Sequence, residues 1–413
     1  MTSAALAAPH HYMPVPTAPS QPGFFGGVKN VLSSLLKDAT SGLSNSKAVD
    51  RAVKLLHQAP ALASSISPLV RSTTSPLLDF FNLEQRFFTG SVFAREALTL
   101  KHIQTIFKDI PDLNITTKLL RTEANRPPLT QFHITPAKAI TSPLTILSGI
   151  RTSALYKSNG AKDLVRHGIP VSMSDYTGYG DTFGQATVHC KTLIADAIKM
   201  LKAQFANHSE VNLLGHSLGS AIGANAFAKL SATNPNFNSG NFICASGWND
   251  FDSVCSELPQ TTLRPFANML RGYANKLFKN EWDTGANLCT TMDNIVKNIT
   301  AKPAQPWTKF RIMIVHGIKD KLVSIKQAKK LQQTLEAHKA TLPPNLQDHF
   351  EISFLTVQDA GHFNTKQGDI EIPFPEIRNA LLAQNPSTAA SPVLANTNKT
   401  AYTNNIPPRL IAA

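Results

Sequence analysis

Hydrophobic and polar positions divide the chain into two textures that meet near Leu113. Residues 1–23 are rich in Ala, Pro, Ser and Thr and are expected to form a disordered arm. After Pro22-Gly23, Val28, Val31, Leu32, Leu35, Leu36, Ala39 and Leu43 recur at the 3.6-residue period, which predicts an amphipathic helix over Gly26–Leu43 with Lys29 and Lys37 among its polar positions. A second helix is expected near 47–58, before Pro60, Pro68 and Pro76 interrupt the chain. Residues 77–107 are densely apolar, with Phe80, Phe81, Phe87, Phe88, Phe93 and Phe107 and little alternation. That texture predicts a face-packing helix, so residues 24–107 are expected to form a helical N-terminal extension.

Beyond Leu113 the texture changes. Leu113–Arg121 and Leu129–Ile134 alternate and flank Asn125-Arg-Pro-Pro, as two paired strands would. Short apolar runs follow at 144–149, 169–174, 211–215, 241–245, 310–316 and 351–357. Stretches of helical length lie between or after them at 186–205, 220–231, 326–338 and 375–383. Repeated strand–helix units after an opening pair predict an α/β fold with a mostly parallel, doubly wound sheet over residues 113–384. The rhythm breaks at about 246–308, where an insertion of helical character is expected to form a small cap. From 385 onward an Asn, Thr, Ala and Pro-rich tail is expected to be disordered.

Charge and composition narrow the classes. Lys and Arg total 40 against 27 Asp and Glu, a net +13 that would suit nucleic acid or an anionic membrane surface. No RRM-like aromatic signature, zinc-finger spacing or dense basic block accompanies the charge, so no nucleic-acid partner is expected. An anionic membrane surface remains a candidate partner through the Gly26–Leu43 helix and its Phe24–Phe25 lead-in. Cys190, Cys244, Cys255 and Cys289 contain no C-x-x-C pair and are too few to staple the fold; a reducing compartment fits them best. Residues 1–23 hold no Lys or Arg and no signal-length apolar run, and no stretch of about 18 apolar residues occurs. The expected location is the cytoplasm or a membrane periphery, with export by a route that reads no hydrophobic signal as the alternative. H-E-x-x-H, G-x-x-x-x-G-K-[ST] and a strand-borne G-x-G-x-x-G are all absent, so no metal or cofactor is expected.

The most informative passage is Val211-Asn-Leu-Leu-Gly-His-Ser217-Leu-Gly219, a short strand running into G-x-S-x-G with an Ala-rich helix after it. Two glycines permit a turn tight enough to lift Ser217 above the sheet, at a helix N-terminus able to stabilise a developing oxyanion. A serine hydroxyl needs a base. His362, in a loop after the last strand, is the candidate. His216 cannot easily point back across its own turn, His316 ends a strand where packing suffices, and His167 and His189 lack strand-end context. The base needs an acid to fix its tautomer. Asp320, beyond a strand and a glycine turn, is favoured, Asp250 and Asp252 are rivals, and Asp359 is expected to be a turn residue. Ser…Asp…His is the chain order that this kind of elbow goes with.

Together, Gly215-His-Ser-Leu-Gly219, His316-Gly-Ile-Lys-Asp320-Lys-Leu-Val and Ala360-Gly-His362-Phe resemble the catalytic signatures of the α/β-hydrolase superfamily. Asp175-Tyr-Thr-Gly-Tyr-Gly-Asp-Thr resembles a turn of its abhydrolase-domain lipase and esterase branch. That branch usually has His-Gly after the third strand, whereas this chain reads Leu147-Ser148-Gly149-Ile150-Arg151. The resemblance implies an oxyanion hole of two backbone N–H groups, Leu218 and Ile150. It implies a serine esterase or lipase that cleaves carboxylic esters, with a lipid or other acyl ester as substrate, through an acyl-enzyme. The other reading is a catalytically weak binding or membrane-associated module on a hydrolase scaffold.

Overall fold

A computed structural model describes residues 96–121, 126–149, 152–185, 188–206, 210–257, 281–303, 308–358, 360–362 and 372–383. They belong to a compact unit that begins at Glu84. The expected arm, the Gly26–Leu43 and 47–58 helices and the C-terminal tail lie outside the described residues.

Eight strands form a single sheet: β1 (Asn114–Leu120), β2 (Leu129–Thr135), β3 (Leu144–Leu147), β4 (Val171–Ser174), β5 (Val211–His216), β6 (Gly240–Ala245), β7 (Phe310–Gly317) and β8 (Phe350–Val357). Their spatial order is β1-β2-β4-β3-β5-β6-β7-β8. β2 runs antiparallel to β1 and β4, and every other neighbouring pair is parallel. The helices are α1 (Leu100–Ile106), α2 (Ser158–Arg166), α3 (Cys190–Phe205), α4 (Leu218–Thr233), α5 (Phe251–Glu257), α6 (Thr284–Ala301), α7 (Ile325–Thr341), α8 (Pro344–Gln347) and α9 (Phe374–Ala383).

Successive side chains of a strand point to opposite faces, so one sheet feeds two cores. Leu213, Phe242, Cys244, Ile312 and Ile314 pack on one side with residues of α3, α4, α6 and α7. Their neighbours Leu214, Ile243, Ala245, Met313 and Val315 pack on the other with α1, α2 and α9. The central strands are therefore continuous apolar runs, as expected where helices cover both faces. β8 is only partly buried. Among the described residues no helix is long and apolar enough to cross a membrane.

Three boundaries differ from the sequence expectation. Leu98, Ile103 and Phe107, at the end of the expected extension, are buried with Phe132, Ile134, Leu164 and Val171 in one of the sheet's two cores. Residues 284–301 of the expected cap form α6, which lies beside α4. Its Asn294 donates to Ala228 O and Ser231 Oγ, and its Asn298 donates to the carbonyls of Ser231, Asn234 and Phe237. That helix is part of the flanking layer; residues 258–280 of the same insertion lie outside the described residues. The pattern predicts no helix between the apolar runs at 144–149 and 169–174, where α2 lies. Gly160 is needed there: a Cβ would stand 2.0 Å from the Phe374 ring of α9. Asp163 and Arg378 tie the same two helices with a 2.9 Å ion pair.

Candidate active site

The site is assembled at the carboxyl ends of β5, β6, β7 and β8. The central strand β5 delivers Ser217 directly into α4, and Ser217 has φ 52° and ψ −118°, a left-handed conformation that a side chain rarely adopts. Its surroundings over-determine that conformation. Ser217 N–H donates to Ala245 O at 2.8 Å, Ser220 N–H donates to Ser217 O at 2.9 Å, and Ser220 Oγ–H donates to Gly215 O at 2.6 Å. The flanking glycines allow the close approach: a Cβ at 215 would stand 2.6 Å from the backbone of 219–220, and one at 219 would stand 2.5 Å from Leu147 O. Neither obstacle is a flexible side chain.

His362 lies with Nε2 3.0 Å from Ser217 Oγ and Nδ1 2.7 Å from Asp320 Oδ2. This pairing implies an Nδ1–H that donates to the carboxylate and an Nε2 lone pair that accepts the serine proton. Asp320 is held on every side. Oδ1 accepts the N–H groups of Leu322 and Val323, both at 2.9 Å, and Oδ2 also accepts Ser246 Oγ–H at 3.0 Å. Burial alone would raise its pKa, but the bonds from His362 and Val323 outweigh it and hold the carboxyl below its usual range. His316 donates Nε2–H to Val323 O at 2.9 Å and sits 3.5 Å from Asp320; burial lowers its pKa, so it backs the acid as a neutral ring.

The rivals have other partners. Asp250 binds Lys330 Nζ at 2.8 Å and accepts from Ser253, well engaged away from His362. His216 is buried, with its ring centroid 5.3 Å from that of His362, and burial, then the positive charge of Lys157, keep its pKa well below the ordinary value. His167 meets Asp163 and Arg378 across α2 and α9, and His189 is exposed where it precedes α3. Asp359 lies outside the described residues.

Leu218 opens α4, and its N–H is among the first four of a helix, which lack an intrahelical acceptor. The second expected donor, Ile150, lies outside the described residues. Gly149 before it packs against the elbow: a Cβ there would stand 3.0 Å from His216 Nδ1 and 3.4 Å from Ser217 Cβ. The turn after β4 supports this loop from below. Tyr176 donates its hydroxyl proton to Ser148 O at 3.3 Å, while Asp175 accepts from Ala154 N–H at 2.6 Å and Leu98 N–H at 3.1 Å. Burial pushes Asp175 up to about 6. Three contributors escape the sequence reading: Ser246, Asp175 as a clamp on the N-terminal segment, and Lys157. Among the described residues, no group of three or more His, Cys, Asp or Glu could hold a metal ion.

The sheet order with its antiparallel second strand, and a strained serine between a central parallel strand and a helix, give the chain the α/β-hydrolase fold. No family model and no curated protein matches the sequence. Among solved structures the chain is similar to a Pyrococcus furiosus esterase, at 14% identity and a TM-score of 0.45 over 71% of this chain and 98% of that one. It is also similar to an alpha-beta hydrolase from Vibrio vulnificus, at 15% identity and a TM-score of 0.45 over 78% of this chain and 93% of that one. A third similarity, to a Pyrococcus horikoshii acylaminoacyl peptidase, has 10% identity and a TM-score of 0.44 over 68% of this chain and 43% of that one. At such values the assignment rests on this chain's own strand order and elbow.

Proposed function

We propose that the chain is a serine hydrolase of carboxylic esters, with Ser217 as nucleophile, His362 as general base and Asp320 as the acid that orients it. One observation carries the reading: Ser217 Oγ, His362 and Asp320 form an unbroken relay of 3.0 Å and 2.7 Å contacts, with the serine held in a strained turn. In this reaction Ser217 Oγ attacks the ester carbonyl carbon as its proton passes to His362 Nε2. Asp320 stabilises the imidazolium, and the Leu218 and Ile150 N–H groups receive the carbonyl oxygen as its negative charge develops. The C–O bond to the leaving alcohol breaks as His362 returns the proton to that oxygen, leaving an acyl-serine. Water, deprotonated by His362, then attacks the acyl carbon, and the carboxylic acid departs with Ser217 reprotonated.

A fluorophosphonate probe tests the assignment. The full-length protein should be labelled and should hydrolyse short 4-nitrophenyl esters; Ser217→Ala should do neither while keeping its circular dichroism. Turnover by purified Ser217→Ala at the parent's rate would refute the nucleophile.

A further inference from the structure

The segment that leaves β3 carries an unusual concentration of buried polar groups. Lys157 is 0% exposed, Ser148 2% and Ser153 1%. Among the described residues, Lys157 Nζ, Ser148 Oγ and Ser153 Oγ each lack a hydrogen-bond partner. All three can donate a proton, and an ammonium can only donate. Asp175, the buried carboxylate this segment touches, is occupied by the main-chain N–H groups of Ala154 and Leu98. A buried ammonium without a counter-charge costs several kcal/mol, which makes this lysine costly as a mere filler of space.

Both ends of the segment converge on the nucleophile elbow. At its start, Gly149 packs on the His216 ring and lies next to Ser217 Cβ. At its end, the charge of Lys157 reaches the same His216 ring. Three buried donors without partners among the described residues, on a short stretch whose first turn packs beside Ser217, suit one occupant rich in acceptor oxygens.

We propose that Ser148, Ser153 and Lys157 form an anion subsite next to Ser217, which receives a carboxylate or phosphate group carried by the ester substrate. This inference rests on the hydrolase reading and narrows it to acidic esters. Lys157 would supply the charge-assisted bond and the two serine hydroxyls would supply neutral ones. Burial brings the Lys157 amine down to about 7, so it can take up a proton as the anion arrives. The chain's net charge of +13 would also favour the approach of such a substrate.

The test uses the full-length protein and two 4-nitrophenyl esters of glutaric acid. One keeps the second carboxyl free and the other has it capped as a methyl ester. The parent should prefer the free acid, and Lys157→Met should lower the ratio of kcat/KM between free and capped esters by about 10- to 100-fold, mainly through KM. An unchanged ratio, or a parent that prefers the capped ester, overturns the proposal. Calorimetry separates this from failure of the hydrolase reading. The Ser217→Ala protein should bind glutarate or inorganic phosphate, and Ser217→Ala/Lys157→Met should not. Binding of phosphate alone assigns a phosphate-bearing ester and of glutarate alone a carboxylate; binding of neither overturns the subsite. Absent turnover and labelling, with anion binding retained and lost in the double variant, would sink the hydrolase reading and leave the subsite standing. Ser153→Ala, which removes a hydroxyl without touching the charge, guards against misfolding of the lysine variant and should lower the same ratio by a smaller factor.

Discussion

Replacing Lys157 by Met should stabilise the free protein, and by an amount that depends on pH in a defined way. The variant keeps a stem of similar length and deletes only the amine, so the packing of a fully buried side chain changes little. Burial lowers the lysine from its ordinary 10.5 to about 7, a gap of about 3.5 pH units. At 1.36 kcal/mol per unit the linkage amounts to about 5 kcal/mol. The direction follows from proton counts. Between pH 7 and 10.5 the unfolded chain holds a proton on Lys157 that the folded chain has released, so the parent loses stability as pH falls through that window. Below pH 7 both states are protonated and the penalty is constant; above 10.5 it vanishes. Parent and variant should therefore be equally stable near pH 11, diverge by about 1.4 kcal/mol per pH unit on acidification, and settle about 5 kcal/mol apart below pH 7. Urea unfolding of both proteins at matched pH, in buffers free of phosphate and carboxylate, measures this directly, provided the slope m is the same for the two. Other groups titrate in both proteins and cancel in the difference. A stability difference that stays flat from pH 7 to 10.5 would mean that Lys157 is not buried as described.

Other perturbations give sharper yes-or-no answers. Asp320→Asn should cut kcat by about 10⁴, as in the best-studied triad, while Asp250→Asn should retain most activity; the opposite ranking in ester turnover would move the acid to the end of β6. Gly219→Ala should cost about 3 kcal/mol or more and abolish fluorophosphonate labelling, because its methyl would meet the main chain at Leu147 O; labelling at the parent rate would contradict the elbow. Phe107→Ala should destabilise by about 3–5 kcal/mol in urea unfolding, whereas a loss under 1 kcal/mol would return this residue to a separate extension.

The parts of the fold visible in the sequence are those in which local chemistry and tertiary placement agree. β5, β6 and β7 are apolar runs because two helical layers cover them, and the β1–β2 pair is announced by Asn125-Arg-Pro-Pro between alternating segments. Ser217, Asp320 and His362 each follow a strand and stand among turn residues, so their meeting could be expected although Ser217 and His362 lie 145 positions apart. Tertiary contacts decide the rest. An amphipathic helix such as α6 carries the same pattern whether it caps the sheet or flanks it, and only the reach of Asn294 and Asn298 to the end of α4 distinguishes the two. Lys157 lies in a polar stretch, Ser-Ala-Leu-Tyr-Lys-Ser-Asn-Gly, where nothing in spacing foretells complete burial. Gly160 resembles a helix breaker until Phe374 arrives from more than two hundred residues away.

On the proposed mechanism, the order of Ser217, Asp320 and His362 along the chain also sets when the molecule can become reactive during its own synthesis. Ser217 issues from a central strand, but its partner histidine follows β8, which pairs only with β7 at the sheet's far edge. A ribosome-bound chain that has released only β3 to β6 carries Ser217 but has neither Asp320 nor His362 with which to draw a proton from it. The hydroxyl in such a chain has no base to activate it. On the proposed mechanism, activation therefore waits for the final parallel pairing, β7 with β8, and for the segment after β8 that carries His362. On the proposed mechanism a chain cut short before β8 lacks the base that forms the acyl-enzyme.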